Sequence, residues 1–415
     1  MKKIITTLLA LFVVLSLAAC SGSGSSAVPS GDAPAEKTTV TIWHTYTDAQ
    51  QEYLEKAIAD FNASQDEVEV VAESQPYDGF TDKVYQAVMA GNGPDMIIHY
   101  ASEAAKYVAD NKVVDLSKYL APETVALMSA STKEEATSFA DGQMHILPIV
   151  SSGPIFFYNK ALYEELGLSA PATWADLIAN CEAVKAKYPD MFGFAFDSET
   201  DGAQTLIMQT GNKLFNAATN EILFNTPEVA AQMQMYQDAI AKGLFTNAKS
   251  GNYFSEDFNS GRIAAYIGSA AGAPYLETEY GMGALPQGGA VEWVPAWNRG
   301  MIVFNYDDEA RAAGAAKFID YFAQPEINAG WCVACNYPAT FAATMETETY
   351  KNFVAGNESF SYLNAEHAGA FPAVTAQAYI RTALQTLMSS VAGGQDVQTA
   401  LDEAVAYIQE ELANE

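Results

Sequence analysis

The chain of 415 residues carries 51 acidic against 21 basic side chains, a formal charge of -30 at neutral pH. A surface so acidic is repelled by nucleic acid and by anionic lipid, which excludes nucleic-acid binding. Apolar residues make up 49% of the sequence, enough at this length for the cores of two domains.

Lys2 and Lys3 precede an uncharged run, residues 4–19, that stops at Leu17-Ala18-Ala19-Cys20. A basic start, a short apolar stretch and small residues before a cut describe a secretory signal peptide over residues 1–19, too short for an ordinary transmembrane helix. The motif resembles a bacterial lipobox, which implies cleavage before Cys20 and acylation at its sulfur; a plain signal peptide with a chance cysteine is the alternative. Two acyl chains hold a protein at a membrane where one holds weakly. Residues 20–37, opening with Ser21-Gly22-Ser23-Gly24, read as a flexible lipidated tether. The mature protein is expected on the extracellular or periplasmic face of the cell membrane, held there by its N-terminal lipid.

Val40-Thr41-Ile42-Trp43-His44 opens the folded part as a strand, a helical stripe follows from Ala49 to Phe61, and Val68-Glu69-Val70-Val71 returns as strand. Strand, helix and strand at this spacing form a βαβ unit on a parallel sheet. A helix over Phe80 to Met89 and a buried strand at Met96-Ile97-Ile98 extend it. Ile146 to Val150 and Pro154 to Tyr158 read as strands around Ser151-Ser152-Gly153, where the chain is expected to cross to a second α/β lobe. Thr173 stands at a helix N-cap, and helices over Gly202 to Gly211 and Pro227 to Lys242 follow. Ala264 to Gly268 is again strand, and Val374 to Leu387 and Val397 to Leu412 are amphipathic helices. Trp331-Cys332-Val333-Ala334-Cys335 has the look of a thioredoxin-type redox motif but follows the end of a helix, with no strand leading in; redox catalysis, a structural disulfide and two quiet thiols remain as readings. His44, His99, His145 and His367 are scattered and no second cysteine pair exists, so no metal and no cofactor is implied.

Several segments in order carry a likeness over the mature chain: Thr41-Ile42-Trp43-His44, Ile58-Ala59-Asp60-Phe61-Asn62, Gly91-Asn92-Gly93-Pro94-Asp95, Tyr158-Asn159-Lys160, Pro171-Ala172-Thr173-Trp174, Ser260-Gly261-Arg262-Ile263-Ala264-Ala265 and Phe318-Ile319-Asp320-Tyr321. Together they resemble the extracellular solute-binding proteins of bacterial ABC importers, the branch with maltose-binding and glycerol-3-phosphate-binding members. The resemblance implies a type II periplasmic-binding-protein-like fold, α/β, with two discontinuous lobes joined by hinge strands: residues 38–150 and 304–340 in the N-terminal lobe, 151–303 and 341–415 in the C-terminal one. It implies a monomer that clamps a small-molecule solute and hands it unaltered to the permease transmembrane subunits of the importer.

A sugar presents an apolar face and a rim of hydroxyls, so its site wants flat aromatics beside groups that give and take hydrogen bonds. Loops at strand C-terminal ends supply Trp43, His44 and Tyr46 after the first strand, Tyr77 after the second, and His99 and Tyr100 after the third. Trp43 could equally be core and His99 a satisfied buried histidine. Ser152 sits at the crossover, where the resemblance implies ligand contact. In the second lobe Gly268 and Ser269 end a strand and open a helix, where free backbone N–H groups could hold oxygen. Trp297, Asn298 and Arg299 lead into Met301-Ile302-Val303-Phe304, with a surface ion pair the alternative for Arg299. The glycerophosphate branch tends to carry an arginine in the late loop, and the matching Glu366 to Pro372 has none, so a neutral mono- or oligosaccharide is expected, with a glycerophosphodiester as the alternative. A secreted glycosidase is the remote reading: no hydrolase or nucleotide motif occurs, and no catalytic residue is assigned. A passive adhesin is a third.

Overall fold

Two separate sheets organise the residues described in the computed structural model, 37–363 and 367–414. The signal peptide, Cys20 and the rest of the tether to residue 36 lie outside the described residues. Lys37 onward forms one compact unit.

The first sheet has five strands. Thr38–His44 pairs in parallel with Val68–Ser74 on one side and Met96–Tyr100 on the other, and the order continues antiparallel through Arg299–Val303 to Leu147–Val150. Along Thr38–His44 the side chains of Val40, Ile42 and His44 are buried while Thr39, Thr41 and Trp43 alternate to the other face. Helix Asp48–Ser64 buries Leu54, Ala57, Ile58 and Phe61, a single stripe at three- and four-residue spacing. It packs on helix Pro325–Cys335, where Gly330 permits the approach: a Cβ there would stand 2.2 Å from the Tyr53 hydroxyl, which donates to Ile327 O at 2.7 Å.

The second sheet has four strands, ordered Tyr280–Gly283, Pro154–Asn159, Ala265–Ser269, Ala195–Phe196, with the last two parallel. Each sheet has its own apolar core. Phe61, Tyr107, Phe318 and Trp331 belong to the first; Trp174, Phe194, Tyr236 and Leu384 belong to the second. Helices Gln377–Ala392 and Val397–Asn414 pack in the second core. The two larger sheets, each with its principal core, make two α/β lobes.

Two segments expected in the second lobe pair and pack with the first sheet. Arg299–Val303, placed with the second lobe, is an inner strand of the first sheet, bonded on both edges, with Met301, Ile302 and Val303 buried in the first core. Helices Ala342–Met345 and Glu348–Ala355 also join that core, through Met345, Tyr350 and Phe353. In both cases pairing and burial decide what local sequence could not.

The lobes are joined by closely packed hinge segments. Trp297 N donates to Ser152 O at 2.8 Å, and Ser151 N to Pro338 O at 2.9 Å. Gly153 lies where the segments pass: a Cβ would come within 2.8 Å of Pro295 O.

Candidate functional site

The hinge fixes which strand ends face each other. Tyr100, the last residue of its strand, pairs with Arg299, the first of the hinge strand; Ser269, last of its strand, pairs with Pro154, the first residue past the crossover. In both lobes the C-terminal ends of parallel strands therefore point at the crossover, the place where open α/β sheets bind ligands.

From the first lobe this end carries Tyr46, Tyr100, Arg299 and Tyr337. Arg299 Nη2 donates to the Tyr100 hydroxyl at 3.1 Å, and its guanidinium lies 5.1 Å from the Tyr100 ring centroid and 5.9 Å from that of Tyr337. Tyr46 is buried edge-on against Trp331, ring centroids 5.0 Å apart, and burial pushes its phenol well above the ordinary range while the charge of Arg299 pulls it back. Among the described residues no carboxylate pairs with Arg299. Tyr337 follows Asn336, which closes helix Pro325–Cys335 in the left-handed region at φ 54°.

From the second lobe come Trp297 and Asp201. Asp201 is buried near the start of helix Glu199–Met208; burial raises its carboxyl, opposed by Ser198, Arg381 and the Trp297 indole. Trp297 and Asn298 link strand Val294–Ala296 to Arg299–Val303, and Asn298 and Arg299 meet different partners. Asn298 Nδ2 donates to Glu135 Oε2 at 2.6 Å.

The residues expected at the site are thus divided. Tyr46, Tyr100 and Arg299 are brought together. His99 adjoins them, its ring stacked on Phe80 at 6.2 Å and edge-on to Tyr100 at 5.3 Å; burial pushes it down to about 4, and among the described residues its buried Nδ1 has no hydrogen-bond partner. Ser152 is buried in the hinge beside a cavity of about 20 Å³ that Leu363 also lines. Ser269 stands at the strand end, but Ala270 N already donates to Gly153 O at 3.2 Å, so the amides expected to be free are partly used. Gly268 is a packing glycine: its missing Cβ would lie 2.6 Å from the Tyr266 ring. His44 is buried, its Nδ1 accepting from Tyr46 N at 3.2 Å, and burial lowers its pKa; it shapes the turn that carries Tyr46. Trp43 alternates to the opposite sheet face, packed on the first core with Lys83 Nζ 5.0 Å from its ring centroid. Tyr77 is 78% exposed, in the loop before helix Phe80–Met89.

Three contributors escaped the sequence. Tyr337 lies beyond the cysteine-bearing helix, Arg381 in a C-terminal helix with its guanidinium 4.3 Å from the Phe371 ring centroid, and Glu135 in helix Ala130–Ala136. No local pattern marks Tyr337, and Arg381 stands out only within Arg381-Thr382-Ala383, a segment of the family likeness. Cys332 and Cys335 are free and buried within that helix, and burial raises both thiols, which removes the nucleophilic thiolate that redox exchange requires.

A larger cavity, about 820 Å³, is lined from both lobes by Glu135, Lys213, Phe215, Trp293, His367 and Phe371 among others. Its walls are residues from 131–142, the stretch 213–218 with Leu223, and Glu292, Trp293 and residues 367–372, not the strand ends Tyr100, Arg299 and Ser269. Size favours this cavity. The converging aromatic rings and the uncompensated cation favour the strand-end side as the ligand cleft.

Residues 56–355 match the family described as bacterial extracellular solute-binding protein. The sn-glycerol-3-phosphate-binding periplasmic protein UgpB of Brucella abortus (strain 2308) is 26% identical over 434 residues, covering 92% of this chain and 95% of that protein. The protein of the same name from Escherichia coli (strain K12) is 26% identical over 336 residues, covering 74% and 75%. Among solved structures, the cyclic alpha-maltosyl-1,6-maltose binding protein from Arthrobacter globiformis superposes with a TM-score of 0.81 at 22% identity, over 91% of this chain and 100% of that one. The sugar-binding protein MalE from Xanthomonas citri gives 0.78 at 19%, over 91% and 98%. At these identities the two structures establish the fold, the two-lobed type II arrangement.

Proposed function

Because the chain belongs to the bacterial extracellular solute-binding proteins, we propose that it is the solute-capturing component of an ABC importer, closing its lobes on a carbohydrate at the crossover and delivering it unaltered to a membrane permease. What supports the carbohydrate reading is the set of rings at the strand ends: Tyr46, Tyr100, Tyr337 and Trp297 stand beside the polar groups of Arg299 and Asp201. Rings stack on the apolar face of a sugar while phenol, guanidinium and carboxylate satisfy its hydroxyls.

Tyr46, Tyr100, Ser152, Ser269, Trp297 and Arg299 contact the solute, with His99 at their edge; His44, Gly268 and Asn298 hold the walls in place. Trp43 and Tyr77 take no direct part. Closure follows from differential affinity: a solute touching both lobes binds the closed state more tightly and shifts the population toward it. The protein works as a monomer, carries no cofactor, performs no catalysis, and is tied to the outer face of the membrane by lipid on Cys20.

The likeness to sn-glycerol-3-phosphate-binding relatives favours a second reading, a glycerophosphate or its diester in the same cleft. A thermal-shift screen of the mature chain against maltooligosaccharides, monosaccharides and glycerol-3-phosphate tests both, since a ligand bound only by the folded state raises its stability by mass action. Saturable binding with the sugar recovered intact is the expected result. Turnover of the sugar, or a glycerophosphate as the sole hit, would refute the carbohydrate-carrier reading.

A further inference from the structure

The surroundings of Arg299 are unlike those of the other arginines. Arg262 pairs with the buried Asp257 at 2.9 Å, Arg311 pairs with the buried Asp95 at 2.5 Å, and Arg381 acts on the buried Asp201. Arg311 also lies over a tyrosine, Tyr306, at 5.0 Å, but among the described residues Arg299 meets phenols, those of Tyr46, Tyr100 and Tyr337, with no carboxylate beside them. The chain has 51 acidic residues to 21 basic ones, so a carboxylate partner is the ordinary outcome for a half-buried arginine here.

A guanidinium taken partly out of water needs compensation. Tyrosine faces and a phenol oxygen supply some of it but leave the positive charge intact. Arginine has five N–H donors in a planar fork; the bond to Tyr100 uses one and Tyr46 engages another, so donors remain for an anionic oxygen. This charge stands at the strand ends facing the crossover. A caged, unneutralised cation at that place is a receptor for an anion. The overall acidity does not prevent it, because repulsion from distant surface charge is screened within about 8 to 10 Å in physiological salt.

We propose that the solute carries an anionic group, phosphate or carboxylate, seated on Arg299 within the tyrosine cage. The proposal rests on the carbohydrate-carrier reading for the rest of the ligand and names its class: an acidic sugar or a sugar phosphate. It departs from the expectation of a neutral sugar, which came from the lack of an arginine in Glu366 to Pro372; Arg299 provides the charge from the hinge instead.

The test uses matched ligands on the mature chain: glucose, glucose 1-phosphate, glucuronate, maltose, glycerol-3-phosphate and inorganic phosphate, measured by calorimetry and thermal shift at low and high salt. The expected result is tighter binding of the anionic member of a matched pair, weakening as salt rises. Arg299→Met should lose about 10- to 100-fold in affinity for the anionic member, more than for its neutral partner, as expected for a charge-assisted contact. Arg299→Lys should restore part of the loss. Circular dichroism checks that the variants fold, and should they not, the salt dependence and phosphate competition of the unaltered protein decide.

Preference for phosphate over carboxylate identifies the anion. Neutral sugars bound as well as their acidic partners would overturn the proposal while leaving the carbohydrate reading intact. Glycerol-3-phosphate or inorganic phosphate bound through Arg299 with no sugar bound would support the anion seat on Arg299 while refuting the carbohydrate reading and the acidic-sugar class that rests on it. Binding of none of these ligands overturns both.

Discussion

Glu135 should make the protein more stable in mild acid than in mild alkali. It is 6% exposed, its carboxylate accepts from Asn298 Nδ2, and burial pushes its carboxyl from the ordinary 4.5 up to about 8. With the folded value above the unfolded one, both states are protonated below 4.5 and the fold bears no cost. Between 4.5 and about 8 the unfolded chain ionises while the folded one holds its proton, and stability falls with rising pH; above 8 the fold must accommodate a buried carboxylate. At about 1.4 kcal/mol per unit, the full penalty is roughly 4 to 5 kcal/mol. Glu135→Gln keeps the oxygen that accepts from Asn298 and removes the charge, so urea unfolding at about pH 9 should find the variant more stable by a few kcal/mol, the gap closing near pH 5. Glu134, Asp141, Glu292, His367 and Lys213 line the same cavity in both proteins, so to first order their contributions cancel in the difference. An equal gap at both pH values, or none at either, would refute the reasoning.

Trp297→Ala should weaken solute binding by about tenfold or more through loss of the stacking surface, read by calorimetry, while Trp43→Ala leaves affinity unchanged. Gly330→Ala forces the Tyr53 ring from its place against helix Pro325–Cys335 and should cost about 1 to 3 kcal/mol in urea unfolding, with solute affinity intact. Gly153→Ala meets Pro295 O between hinge segments and should lower both stability and affinity, the second visible as a change in closure by small-angle scattering. Cys332 and Cys335 should react with a thiol reagent only at the rate of unfolding, whereas fast labelling of the native chain would contradict their burial.

What the sequence discloses here depends on whether a signal is local. The opening βαβ unit was legible because alternation in Val40 to His44 and the stripe of Leu54, Ala57, Ile58 and Phe61 are complete within a few residues. The Thr173 N-cap was legible for the same reason, and it closes a reciprocal pair with Asp176, whose carboxylate accepts from Thr173 N at 3.0 Å. The lobe boundary at residues 299–303 was not, because the apolar run there suits either sheet and only pairing with Met96–Tyr100 and Leu147–Val150 assigns it.

The candidate site divides along the same line, and more finely. Loops after strands drew attention to Tyr46 and Tyr100, but a run such as Trp43-His44-Thr45-Tyr46 straddles two faces of a sheet, and period-two alternation sends Trp43 away from the crossover while the turn beyond His44 brings Tyr46 to it. At the hinge, one step along the chain from Asn298 to Arg299 separates the buried Glu135 from the aromatic cage. Tyr337 was beyond reach altogether, since it joins Arg299 only through the packing of helix Pro325–Cys335 on the first core. Composition shows which residue types are available for a ligand, whereas side-chain parity along a strand and long-range packing decide which of them meet.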